Sequence, residues 1–129
     1  MHKVYNPPGI AEPFGHYDHG VEADLPGRLL HISGQIGVAP DGAVPDGIEA
    51  QTELVWQNIC AVLSEAGVSA KDIVKTNTYF MDRAHVPVLA KMRKRFLGED
   101  HKSASTTLLV TGLVRPDWLV EIDAVAIKR

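Results

Sequence analysis

One cysteine, Cys60, stands in 129 residues. A lone thiol excludes an intramolecular disulfide framework and cannot by itself form a thiolate metal site; in an apolar helical frame it reads as a small hydrophobe. Aromatics are scarce, at 6%, which counts against the stacking platforms of single-strand nucleic-acid binders. Neither sign of charge dominates: 13 Lys and Arg against 16 Asp and Glu give a formal charge of −3, a poor match for duplex nucleic acid held through counter-ion release. No apolar run has the length of a membrane span. The N-terminal Met-His-Lys-Val-Tyr-Asn-Pro-Pro-Gly lacks the apolar core of a signal peptide. A cytoplasmic protein is the expectation, with no membrane or nucleic-acid partner and no cofactor called for.

What is present is enough apolar content, 45%, for a real core in one compact domain over residues 1–129. Residues 1–20, rich in Pro, Gly and His, read as an irregular arm. A strand pair follows, Val21 to Asp24 and Leu29 to Ile36, around a turn at Pro26-Gly27. Gly34 inside the second strand signals a bulge or a close backbone approach. Leu54, Val55, Ile59, Val62, Leu63 and Ala66 recur at three- and four-residue steps, predicting a helix from Ile48 that Gly67 ends. Ile73 to Phe80 reads as a strand, Val86 to Leu97 as a helix with Pro87 in its first turn and Gly98 as its stop, and Ser105 to Val110 and Trp118 to Ile127 as the last strands. The order β-β-α-β-α-β-β is α+β: a mixed sheet with two helices on one face. Its other face is left bare although the strands are apolar on both sides, which predicts a homo-oligomer. The basic cluster Lys91, Arg93, Lys94 and Arg95 reads as a solvated helix face.

The last strand carries the candidate chemistry. Val120, Ile122, Ala124 and Ala126 form one apolar face, whereas Glu121 and Asp123 interrupt the other. A carboxylate in such a run costs several kcal/mol if buried and unpaired, so it must reach water, find donors or take a proton. Either the face is half exposed and both acids are solvated, or Glu121 does chemistry. His16-Tyr17-Asp18-His19 offers potential metal ligands, but without a third spaced ligand His-x-x-His in an irregular arm points to solvated residues or to His16 entering a cleft. Ser33, Ser105 and Thr107 lack a His and Asp in a recognisable frame, which favours hydrogen-bonding roles over nucleophilic ones.

His31-Ile32-Ser33-Gly34-Gln35-Ile36, Gln51-Thr52 with Asn58-Ile59, Asp72-Ile73-Val74-Lys75 and Leu119-Val120-Glu121-Ile122-Asp123-Ala124, in this order and spacing, resemble the YjgF/RidA family, some of whose members carry ribonuclease or translation-inhibitor labels. The resemblance runs from Pro13 nearly to the C-terminus. It implies a chorismate-mutase-like fold, a homotrimer whose sheets pack around a three-fold axis, and a ligand cleft at each subunit interface. It also implies hydrolysis of reactive enamines and imines, such as 2-aminoacrylate, to a 2-keto acid and ammonia. In that family an Arg on the penultimate strand clamps the substrate carboxylate, a Glu handles water or protons, and an arm aromatic closes the cleft. By the resemblance Glu121 is the catalytic Glu, Ser33 and Gly34 line the cleft, and Phe14 is the arm aromatic with its phenol lost.

The departure from the family lies at Lys102-Ser103-Ala104-Ser105-Thr106, where the typical motif is Pro-Ala-Arg and Ser105 is taken to stand on the Arg; Ala90 stands near a helical Asn position. An Arg fork makes two charge-assisted hydrogen bonds of about 1.5–3 kcal/mol each, so its loss predicts weak or no activity on 2-aminoacrylate. His16, His19, His31, His101, Lys102 and Arg115 are candidate replacement cations. The expected function is hydrolysis or tautomerisation of an imine or enamine, with Glu121 as acid/base and Ser105, Thr107, Ser33, Gly34, Phe14 and His16 binding substrate. A non-catalytic ligand-binding trimer is the alternative, and a ribonuclease the third reading.

Overall fold

The computed structural model describes residues 3–8, 12, 13, 15–22 and 26–129. Its main sheet has four strands in the order β3-β6-β4-β5: β3 (Arg28–Ile36), β6 (Val120–Lys128), β4 (Ile73–Phe80) and β5 (Ala104–Leu109). Both neighbours of β6 run antiparallel to it, whereas β4 and β5 are parallel and joined through a helix, so the sheet is mixed as expected. Two short strands, β1 (Lys3–Tyr5) and β2 (Gly20–Glu22), form a separate antiparallel ribbon. This corrects two expectations. Residues 1–20 contain a strand, and the described part of β2 pairs with β1 rather than with β3.

Helices α1 (Ile48–Glu65) and α2 (Val86–Leu97) cover one face of the sheet. On α1 the inward residues Val55, Trp56, Ile59 and Leu63 follow the helical period and are at most 2% exposed. They meet Val120, Ile122, Ala124 and Ala126 of β6, the apolar face read from the alternation, each at most 2% exposed. Leu89, Met92 and Leu97 complete the layer from α2, and Trp56 stacks on Phe96 with ring centroids 6.2 Å apart. Gly67 ends α1 at φ 69°, where its N–H donates to the Ser64 carbonyl.

Polar residues fix the loops. Gln51, 2% exposed, donates to the carbonyls of Pro45 (3.1 Å) and Asp117 (2.8 Å) and accepts from the Leu119 N–H (2.9 Å), thereby setting the entry of β6. Asn58 donates to the carbonyls of Ile36 and Val38, holding the exit of β3. Ser69 and Asp72 form a reciprocal capping box just before β4.

The basic cluster on α2 divides. Lys91 and Arg95 pair with Glu49 and Glu53 of α1 at 3.0 and 2.9 Å, and Lys94 approaches Glu99 at 3.7 Å, as a solvated face should. Arg93 departs from that reading. It is 8% exposed and points between α2 and the sheet. Among the described residues no helix is long and apolar enough to cross a membrane.

Candidate functional site

Strand register decides which side chains meet. On the face away from the helices, Glu121 lies beside Tyr79 and Leu108, Asp123 beside Asn77 and Thr106, and Val125 beside Lys75, which pairs in turn with Ala104. The β3–β6 ladder is interrupted between Ile32 and Gln35, so Ser33 and Gly34 form a bulge opposite Asp123, and Glu121, which pairs with Ile36, reaches it through its side chain. A Cβ on Gly34 would overlap the Glu121 carboxylate and stand 2.8 Å from its Cδ and 3.0 Å from its Cγ. Both readings of Gly34, bulge and close approach, therefore hold, and the approaching group is Glu121. Among the described residues no hydrogen bond or ion pair is made to that half-buried carboxylate.

Asp123 is otherwise engaged: it accepts from Asn77 Nδ2 at 2.8 Å and from the Tyr79 hydroxyl at 3.0 Å. This hydrogen bond, with burial and the negative charges of Asp123 and Glu121, raises the Tyr79 pKa above the ordinary phenol range and keeps the hydroxyl a donor. Lys75 brings an ammonium onto the same face, donating from Nζ to Thr106 Oγ1 at 2.8 Å. Burial and the charge of Arg93 lower the Lys75 pKa, against the opposing pull of Asp123. An open groove of about 300 Å³ runs from Tyr79, Glu121 and Asp123 to Val110, Gly112, Leu113 and Val114.

The expected site residues split between the two sides of the sheet. Ser33 and Gly34 accompany Glu121. Ser105 pairs with Thr76 and Thr107 with Thr78, so both point toward the helices, on the opposite side from Glu121. Within one subunit they are therefore not brought together with Glu121. Side chains alternate faces, and the β5 residues on the Glu121 face are Ala104, Thr106 and Leu108. His16 is likewise on the helix side, where its Nε2–H donates to the Glu99 carbonyl at 3.0 Å. Burial, with the charges of Arg93 and Lys94, holds that imidazole below its ordinary pKa. Phe14 lies outside the described residues. In the His16 to His19 motif Asp18 is 1% exposed and accepts from Asn6 Nδ2, so the side chains serve separate contacts.

Sequence reasoning did not single out Tyr79, Asn77, Lys75 or Thr106. Their signal was available in the period of β4, where Lys75, Asn77 and Tyr79 fall on one face opposite Thr76 and Thr78.

The family model described as endoribonuclease L-PSP matches residues 9–128. A RutC family protein of Pyrococcus horikoshii is 33% identical over 130 residues, covering 99% of both chains. TdcF of Escherichia coli strain K12, whose name proposes a reactive intermediate deaminase, is 28% identical over 130 residues, 99% of this chain and 98% of its own. Among solved structures, the Yersinia pestis protein YyfB of the conserved Rid family, itself of unknown function, superposes with a TM-score of 0.85 at 30% identity over 98% of each chain. RidA from the Antarctic bacterium Psychrobacter sp. PAMC 21119 gives 0.73 at 28% identity, over 97% of this chain and 98% of its own.

Proposed function

This chain belongs to the Rid (endoribonuclease L-PSP) family, and we propose that it hydrolyses a small imine or enamine on the open face of its sheet, in a cleft completed by a second copy of the chain. The observation that carries the reading is the Glu121 carboxylate, half buried against the Gly34 backbone and without a hydrogen-bond partner among the described residues. Unlike Asp123, whose oxygens accept from Asn77 and Tyr79, it has no donor upon it among the described residues. Glu121 accepts a proton from water as the oxygen adds to the C=N carbon. It returns that proton to nitrogen to give the carbinolamine, then takes the proton of the new hydroxyl and delivers it to nitrogen as the C–N bond breaks, leaving a keto group and ammonia; an enamine first takes a proton at carbon to become the imine. The name of TdcF supports the same reaction class.

Lys75 offers an ammonium on this face to a substrate carboxylate and was not among the candidates read from the sequence; His31, which was, stands on the same face beside Val125. The Lys75 ammonium reaches the row of Thr106 and Asp123, roughly 7 Å along the strands from the row of Glu121 at about 3.4 Å per residue. An ammonium is a point charge without the fork of a guanidinium, and Asp123 shares it. Weak turnover of 2-aminoacrylate is therefore still expected, with Thr106 rather than Ser105 standing where an Arg would face Glu121.

The bare sheet face supports association. Leu29 and Leu108 are 54% and 47% exposed on it, and a homotrimer built through this face would cover them while closing the cleft. Sedimentation equilibrium should give three copies; a monomer at micromolar concentration would remove the cleft from the proposal. For the chemistry, 2-aminoacrylate generated by a dehydratase is followed to pyruvate. Wild type should accelerate it weakly, Glu121→Gln should abolish that, and Thr106→Arg should increase it, while Ser105→Arg should not. Equal rates for wild type and Glu121→Gln across a panel of imines would leave a ligand-binding protein without catalysis.

A further inference from the structure

Opposite Glu121, on the helix side of the sheet, lies a second cleft of about 290 Å³ with Arg93 in its wall. Its apolar lining comes from Val86, Leu89 and Ile122, and its polar lining from Thr78, Ser105 and Thr107. We propose that this cleft is a binding site for a small monocarboxylate with an apolar body, its carboxylate on Arg93 and the β5 hydroxyls and its body against α2 and Ile122.

Arg93 is 8% exposed, and a guanidinium carries five N–H donors. Nε donates to the His16 carbonyl at 3.0 Å, Nη1 to Thr76 Oγ1 at 2.6 Å and Nη2 to Ser103 Oγ at 2.6 Å. All three acceptors are neutral. Among the described residues no carboxylate pairs with this cation, and burial alone lowers its pKa to about 10. Three neutral hydrogen bonds hold the fork rigid while, among the described residues, two N–H groups and the charge find no partner. A buried cation in that state favours an anion, and a carboxylate matches the planar fork.

A second group independently asks for an acceptor. Trp56 lines the same cleft at 1% exposure, and its indole N–H has no hydrogen-bond partner among the described residues. The apolar walls and the volume, at the small end for ligand sites, fit one small molecule rather than a peptide or a nucleotide.

The test is a titration with 4-methylpentanoate, read on the two tryptophan indole N–H resonances by NMR, with 4-methylpentanamide as the neutral control. Saturable movement of the Trp56 signal by the acid, with Trp118 unmoved and binding by the amide at least about tenfold weaker, is expected from loss of a charge-assisted pair. Arg93→Met should abolish binding. Because that change also strips partners from Thr76 and Ser103, Ala90→Phe, which fills the cleft from the exposed face of α2 and leaves the Arg93 hydrogen bonds intact, should abolish it too. The proposal is overturned if the Trp56 resonance does not respond at millimolar acid, if acid and amide bind alike, or if a folded Ala90→Phe variant binds as wild type does.

Discussion

A methyl group added at Gly34 separates the position of Glu121 from the stability of the fold. The new Cβ of Gly34→Ala would meet the far end of the Glu121 side chain and no backbone atom among its closest contacts. Gly34 is not among the glycines with positive φ, so alanine is allowed there. Stiffening the unfolded chain contributes about 0.4–1 kcal/mol of stability. Moving Glu121 off its rotamer costs about 0.5–1.5 kcal/mol. The net change is within about 1 kcal/mol, which for a chain of 129 residues corresponds to about 4 °C in Tm. The catalytic effect is far larger, since displacing a reacting group by about 1 Å costs on the order of 100-fold.

Gly37→Ala is the control. Its Cβ would lie 2.8 Å from Gln51 Cβ and 2.9 Å from both the Cα and the carbonyl oxygen of Gln51. Those atoms belong to the first turns of α1 and cannot swing away, so overpacking of about 3 kcal/mol and a Tm loss of about 10 °C are expected. Thermal melts at one protein concentration and kcat/KM on an imine generated in situ give both readouts. Gly34→Ala should melt near wild type with kcat/KM down about 100-fold. Wild-type kcat/KM in Gly34→Ala, or a loss of stability as large as that of Gly37→Ala, would refute the placement of Glu121.

Asp123→Asn should bring the Tyr79 phenol back toward its ordinary pKa of 10, followed by phenolate absorbance, because the hydrogen bond to a charged acceptor is what raises it. The folded state of the wild type holds the Tyr79 proton more tightly than the unfolded chain. That stability is complete below pH 10 and fades as pH rises through the raised value, so alkaline unfolding of the variant should be the less steep of the two. Gln51→Ala strands the carbonyls of Pro45 and Asp117 and the Leu119 N–H. A loss of about 2–4 kcal/mol in chemical denaturation is expected, and an unchanged midpoint would show that water replaces the side chain.

Much of the fold could be read because burial and period agree. Val120, Ile122, Ala124 and Ala126 alternate without exception and are all buried, and α1 carries its apolar stripe up to a glycine stop. The ribbon of β1 and β2 was not legible in the same way. Three-residue strands have no period to count, and the Pro and Gly between them read as irregular chain. Arg93 was misread for a different reason. A charge run is scored by residue type, whereas burial of this Arg depends on Thr76, Ser103 and the His16 carbonyl, which come from three other parts of the chain.

The site shows why one residue of register matters more than residue type. Ser105 and Thr106 are both small hydroxyl residues, and a motif comparison distinguishes them only by a one-position alignment. The sheet distinguishes them by its whole thickness. Thr106 accepts the Lys75 ammonium on the Glu121 side, while Ser105 pairs with Thr76 and lines the Arg93 cleft. The threonines at 76 and 78 suit a strand by β propensity, and on the helix side they also make a polar floor where aliphatics would otherwise close the core. Each observation follows from the same alternation. A cation missing from one strand position is supplied by β4 on one face, and a cation hidden in α2 is left uncompensated on the other. An arginine introduced at Thr106 and one introduced at Ser105 should therefore act on different ligands, although the two positions are neighbours in the chain.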